Sequence, residues 1–199
     1  WNLYSSPKEN TIFLKMEHKS KKIEDFYNIK YGLRTGDNQK FLSNERNHLV
    51  KEIKIARGSN IKRYFFNWQP EYLIKTESLP ESYFIDNVLN SPKIILQYVR
   101  TNSTDIKSRW LEAALIEEPG FVPLNSTSFF YEKNSEFSLK YLLIILSSEL
   151  LNFYYKAHYT DVNIKPIYVS KLPVPFLNIQ NQQPFIQKAE LMLTLNKEL

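Results

Sequence analysis

Apolar and polar positions alternate along this chain in two rhythms. Near the start, Pro7-Lys8-Glu9-Asn10 precedes Ile12, Phe13, Leu14 and Met16, which predicts a helix running towards His18. Lys19 to Lys22 is a polar break, and Ile23 to Tyr27 leads into a first strand. Tyr31 and Leu33 then alternate with smaller or polar residues, Phe41 and Leu42 resume the apolar pattern, and Thr35-Gly36-Asp37-Asn38 stands between them. Glycine supplies positive φ and Asp or Asn side chains bond their own backbone, so the pattern predicts strand, tight turn, strand. Residues 47–55 alternate well enough for another strand, with Leu49, Ile53 and Ile55 facing inward. Phe65 to Trp68 and Tyr72 to Ile74 read as strand material around a bend at Pro70.

The second half carries the stronger signals. Lys93-Ile94-Ile95-Leu96 lies in the clearest strand, too short for a helix and too apolar for an edge. Trp110 to Ile116 predicts a strand that turns at Pro119-Gly120 and pairs with Phe121 to Tyr131. Ser138 caps a helix from Leu139 to about Lys156, buried along a broad stripe of Leu142, Ile145, Leu146, Leu150, Phe153 and Tyr154. Lys140, Ser147, Ser148, Glu149 and Asn152 interrupt it, so it is no membrane span. Val169 to Pro175 is held extended by prolines, and Pro184 opens a last amphipathic helix with Phe185, Ala189 and Met192 on one face. The fold class expected is α/β of a mixed α+β kind: a twisted, mostly antiparallel or mixed sheet with a buried helix, plus a C-terminal amphipathic helix.

Composition narrows the chemistry. At 199 residues, 43% hydrophobic and 15% aromatic, the chain supports a packed core. It has no cysteine, three scattered histidines (His18, His48, His158) and 4 glycines. Disulfides, thiolate catalysis, cysteine-type zinc sites and glycine-rich nucleotide cradles are all disfavoured. The absence of a basic-then-apolar leader suggests a cytoplasmic protein, with no membrane association, that is a fragment of something longer.

Charge is localised. Between Lys40 and Arg63, seven basic residues outweigh Glu45 and Glu52 by five, which equals the +5 of the whole chain. A concentrated positive window beside a polar turn is the footprint of a nucleic-acid binder, although a solvated basic face has the same composition. The candidate DNA-contacting residues are Arg34, Thr35, Asn38 and Lys40 on the first turn, and Arg57, Asn60, Lys62 and Arg63 around Gly58-Ser59. Arg100 and Asn102 follow on the next loop. Lysines suit phosphates, while arginine and asparagine suit guanine and adenine edges. Asn125-Ser126-Thr127 reads as a cap that pins a strand.

Six pieces occur in order: Gly-x-x-Thr-Gly-x-Asn-x-x-Phe (Gly32 to Phe41), Arg-Gly-x-x-Ile-x-x-Tyr (Arg57 to Tyr64), Pro-Lys-Ile-Ile (Pro92 to Ile95), Leu-Asn-Ser-Thr (Leu124 to Thr127), the helix from Tyr141 to Tyr155, and Lys-Leu-Pro-Val-Pro (Lys171 to Pro175). Over roughly residues 20–180 this succession resembles the TaqI-like specificity, or target-recognition, domain of adenine-specific DNA methyltransferases and type II restriction-modification enzymes. The resemblance implies a target-recognition-domain fold that reads double-stranded DNA and is non-catalytic by itself. It implies an upstream methyltransferase domain of the parent chain that uses S-adenosylmethionine, with no cofactor or metal in this chain. The implied division is an N-terminal helical segment at 1–22, the recognition domain at 23–180 and a connector helix at 181–199.

Two rivals belong to other classes. Asp37 with Glu52 and Lys54 imitates the Asp…Glu-x-Lys arrangement of magnesium-dependent nucleases. The apolar final helix also suits a protein-interaction module. His158 with Asp161 is a weaker acid–base pair, since no nucleophile accompanies it.

Overall fold

A computed structural model describes residues 6–46, 52–74, 76–99, 110–133 and 136–197. Its architecture follows from one corner through which two sheets pass. The first sheet has the order β2 (Tyr27–Tyr31), β11 (Thr127–Glu132), β8 (Lys93–Gln97), β9 (Ala113–Ile116), and every neighbour is antiparallel. The second has the order β10 (Phe121–Pro123), β4 (Lys54–Ala56), β7 (Tyr72–Leu73), β3 (Leu42–Ser43). There β10 and β4 run parallel, and the other pairs are antiparallel. The chain passes between sheets twice at the same place, from β2 to Leu33 and from β10 to β11. Leu33 bridges in parallel to Leu124. A Cβ on Gly32 would lie 1.8 Å from the Leu124 carbonyl oxygen, so the close approach requires glycine.

The apolar run Ile94-Ile95-Leu96 is fully buried because β8 is a central strand with one face against each layer. Ile94 and Leu96 join the larger core with Phe130 and the helices, whereas Ile95 packs with Phe129, Ala114 and Phe121 on the other side. Burial of such side chains contributes about 1.5–3 kcal/mol each. Lys93 is 0% exposed, and its ammonium donates to the carbonyls of Ser91 (2.7 Å) and Leu89 (3.3 Å), the latter ending α4 (Asp86–Leu89).

Helices cover the outer face of the first sheet. Ser138 caps α5 (Leu139–Leu146) and Ser148 caps α6 (Glu149–His158), so the long helix expected from the apolar stripe is two helices. The break is stabilised by Asn152, which is 3% exposed. Its amide nitrogen donates to the Leu146 and Ser148 carbonyls, and its oxygen accepts from the Trp110 and Leu111 N–H groups at the approach to β9. At the N-terminus, Ser6 and Glu9 form a capping box for α1 (Pro7–His18), which inserts Phe13 into the same core. β1 (Ser20–Lys22) pairs with β12 (Pro173–Pro175), separated from β2 by a short helix, α2 (Ile23–Phe26).

The mixed α/β class is borne out, as is the C-terminal helix, α8 (Ile179–Lys197). This helix starts before Pro184, which lies inside it, and Gln182 is buried, bonding Ser138, Glu136 and Leu177. Three local expectations are corrected. Tyr31 to Leu42 is not a hairpin: β2 pairs with β11, and a helical turn, α3 (Asn38–Phe41), delivers the chain to β3 in the other sheet. Trp110 to Ile116 pairs with β8 and not with the Phe121 to Tyr131 segment. Val169 closes another short helix, α7 (Pro166–Val169), so extension begins only at Pro173. Of the 47–55 segment, residues 47–51 lie outside the described residues.

Candidate nucleic-acid interface

Three parallel segments leave their sheet at one end. Ala56 is in register with Pro123, and Leu33 bridges to Leu124, so the chains entering Arg34, Arg57 and Asn125 emerge side by side. Loops after the carboxyl ends of adjacent parallel strands converge by construction. The Leu124–Thr127 turn joins them. Leu33 N–H donates to the Pro123 carbonyl (2.7 Å) and Asn125 N–H to the Leu33 carbonyl (3.0 Å). Leu124 N–H donates to the Ala56 carbonyl (2.9 Å), and Gly58 N–H donates to Ser126 Oγ (2.9 Å). A Cβ on Gly58 would come 2.6 Å from the Ser126 carbonyl oxygen, which fixes a second tight approach.

The exit of β8 reaches the same turn. Tyr98 N–H donates to the Ser126 carbonyl (2.9 Å), and the Gln97 amide donates to the Gly58 carbonyl (3.1 Å). Beyond it, Ile164 N–H donates to the Tyr98 carbonyl (2.6 Å) and Val99 bridges to Asn163, which brings the 160–165 loop alongside. Half-buried Tyr31 and Tyr98 meet edge to face at 4.8 Å.

The residues predicted from sequence are distributed unequally over this edge. Arg34 is exposed, directly after the Leu33 bridge, with no ion-pair partner among the described residues. Arg57 is at the edge, but its guanidinium forms a two-bond fork with Glu71, Nε to Oε2 at 2.6 Å and Nη2 to Oε1 at 2.7 Å. The hydrogen bonds to Glu71 hold its proton more tightly than usual, against the opposing effect of burial. Asn60 is 7% exposed and accepts from the Arg57 N–H (2.8 Å), so it shapes the loop from inside and leaves the contact set. Lys62 is exposed on β5 (Ile61–Lys62), which forms a small hairpin with β6 (Phe65–Phe66). Arg63 lies at its tip with its guanidinium 4.9 Å from the Tyr64 ring centroid. Tyr64 adopts φ 63°, and its N–H donates to the Ala113 carbonyl (3.0 Å), anchoring the tip at the same end of the first sheet.

The first turn is split. Thr35 donates to the Asn38 side-chain oxygen (2.6 Å), and Asp37 caps α3 through the Lys40 N–H (3.1 Å). Leu42 pairs with Leu73, which bonds Ile53, so α3 carries Lys40 towards the opposite end of the sheet. Ile53 and Ala56 alone are ~10 Å apart along an extended strand. Lys40 is therefore not brought together with Arg34. Arg100 and Asn102 lie outside the described residues. Within the basic window, Arg46 pairs with Glu52 and Lys54 with Glu118; Lys62 in that window and Arg34 before it are the exposed cations at this edge among the described residues.

Asn125 was not distinguished from its neighbours by sequence. Ser126 and Thr127 do pin the turn, since Ser126 Oγ receives Gly58 and Thr127 Oγ1 donates to the Leu124 carbonyl (2.7 Å). Asn125 differs: it is exposed within a stretch that is buried from Phe121 to Leu124 and again from Thr127 to Tyr131. The only signal for this in the sequence was one large polar side chain between two apolar runs.

The nuclease reading is not favoured. Asp37 is a helix cap, and Glu52 and Lys54 are each committed to other ion pairs. Among the described residues no cluster of His, Cys, Asp or Glu is arranged to hold a metal ion. No described helix is long and apolar enough to cross a membrane.

The doubly anchored corner and its polar loop tips form the candidate contact surface. The TaqI-like C-terminal specificity domain matches residues 53–174, more than half of the chain, and the chain belongs to that family. Two solved structures share its fold. One, described as the structural basis underlying complex assembly and conformational transition of the type I R-M system, superposes with a TM-score of 0.60 at 7% identity, over 94% of this chain and 45% of that one. The other, the S subunit of a type I restriction-modification system from M. genitalium, gives 0.51 at 11% identity, over 96% of this chain and 46% of that one. The chain thus spans about half the length of each. No curated protein sequence matches it.

Proposed function

We propose that this chain reads a short sequence in duplex DNA as the non-catalytic recognition domain of a restriction-modification enzyme. The observation that carries the reading is the Leu124–Thr127 turn, which holds the loops after Leu33 and Ala56 and the exit of β8 at one edge. Exposed Arg34 and Lys62 flank that edge, while Arg46, Lys54 and Arg57 are matched to carboxylates. In this reading Lys62 neutralises a phosphate and Arg34 reaches a guanine edge or a phosphate. The methyl transfer to an extruded adenine, with its S-adenosylmethionine, belongs to a methyltransferase domain upstream in the parent. Family membership supports the recognition role, and the two type I restriction-modification structures that share the fold, one of them an S subunit, support a restriction-modification setting.

Binding to a randomised duplex pool at two salt concentrations tests the proposal. Enrichment of one short motif, with affinity falling steeply as salt rises, is the expected result. Lys62→Ala should reduce the log–log salt slope by about 0.9 and leave the motif unchanged. Salt-insensitive binding without a preferred motif would overturn the reading and return the chain to the protein-interaction class.

A further inference from the structure

The turn that joins the two sheets carries one side chain with no structural task. Asn125 is exposed, and among the described residues its carboxamide has no hydrogen-bond partner. The backbone on both sides of it is nevertheless held by hydrogen bonds. Its own N–H donates to the Leu33 carbonyl, Leu124 N–H to Ala56, and Thr127 N–H back to Leu124. The Ser126 carbonyl accepts from Tyr98 N–H, and Ser126 Oγ accepts from Gly58 N–H. Polar groups on turns of folded proteins usually bond their own backbone or move with a loose loop. Here the neighbouring hydroxyls perform the pinning and the amide is left presented on a rigid mount between Arg34 and the Gly58 loop.

Resting on the DNA-reading proposal above, we infer that Asn125 is a base-reading residue that contacts an adenine edge in the major groove. A carboxamide offers one donor and one acceptor side by side, which matches the N6 amino group and N7 of adenine with two parallel bonds. Cytosine, guanine and thymine do not offer that pair in the same order. Rigidity is what gives such a contact its discrimination. A side chain on a backbone already held in place has only its own rotamers left to order on binding, and a wrong base leaves its donor or acceptor unmatched. Arg34, one residue beyond the Leu33 carbonyl that holds Asn125, is placed to contact the adjoining base or phosphate. The remaining half-exposed groups at the edge, Tyr31 and Tyr98, supply an apolar wall beside it.

The test compares the 199-residue chain with Asn125→Ala and Asn125→Asp on the same randomised duplex pool, with melting temperatures measured for all three. Wild-type chain should enrich a motif containing an adenine for which Asn125→Ala loses roughly 5- to 150-fold of discrimination, at that base pair only. Asn125→Asp keeps the shape but removes the donor, and should move the preference at that pair towards cytosine, whose N4 amino group donates. Unchanged melting temperatures and an unchanged salt slope should accompany both substitutions. A variant motif identical to wild type at every position overturns the inference and leaves the DNA-reading proposal standing. Loss of all binding together with a lowered melting temperature also overturns it, because Asn125 would then be structural. A wild-type chain that enriches nothing and ignores salt overturns the broader proposal, and the role of Asn125 with it.

Discussion

Arg57 and Glu71 face each other as a fork on a carboxylate, two parallel N–H to oxygen bonds at 2.6 and 2.7 Å. The pair ties the loop after β4 to the start of β7, so this arginine serves the scaffold. Lysine has a single charged point and cannot reproduce both bonds. Arg57→Lys should therefore lower stability by about 1 kcal/mol, a small figure because the guanidinium is partly solvent-screened. Chemical denaturation measures it, and DNA affinity should fall less than for Arg34→Ala, whose guanidinium has no such partner among the described residues.

Asn152→Ala should cost about 2–4 kcal/mol. Four hydrogen bonds disappear at once, and the Leu111 N–H and the Leu146 carbonyl lose a partner in a buried place. Urea unfolding followed by circular dichroism reports the loss. Asn152→Asp should recover part of it, since the acceptor for Trp110 and Leu111 remains.

Gly32→Ala should destabilise by about 3 kcal/mol or more, because the new carbon would meet backbone and no flexible side chain can move aside. Gly36→Ala is the control. Gly36 has φ 78° but open space around it, so the substitution should cost only the strain of that conformation, about 1 kcal/mol. Thermal melting of both variants orders them.

Lys93 gives stability a pH dependence. Burial lowers its ammonium to about 8, below the value it recovers in the unfolded chain. Between about pH 8 and pH 10 the unfolded state binds more protons than the folded one, so the lysine makes the fold more stable as pH rises through that window. The slope has a ceiling of about 1.4 kcal/mol per pH unit. Above pH 10 the trend reverses, since burial pushes Tyr141 up to about 12 and the unfolded chain ionises first. Lys93→Met should remove the Lys93 share of the rise between pH 8 and pH 10 and leave only the smaller contribution of Lys30, which partial burial also lowers, as measured by denaturation midpoints across that range.

The two ways of reading the chain part company where partners are distant. Helix α1 was legible because its capping box, proline and apolar spacing lie within a dozen residues. Strand β8 was legible because Ile94-Ile95-Leu96 has no polar face to offer. At Thr35 to Asn38 the local chemistry was also right: Gly36 takes positive φ, and Asp37 bonds a backbone N–H. What failed was the assumption that flanking strands pair with each other. Tyr31 finds Ser128 and Leu42 finds Leu73, and no local pattern encodes those registers. The site shows the same division. Exposed Arg34 and Lys62 were identifiable by type, whereas the capture of Arg57 by Glu71, the inward turn of Asn60 and the display of Asn125 depend on contacts made by remote segments.

The Leu124–Thr127 corner couples assembly to purpose. Until β10 and β11 have each found their own sheet, the segments that flank this turn have no common frame and no shared edge exists. On the proposed DNA-reading role, a half-assembled copy would present scattered cations to a nucleic acid, and selectivity would arrive only with the finished fold.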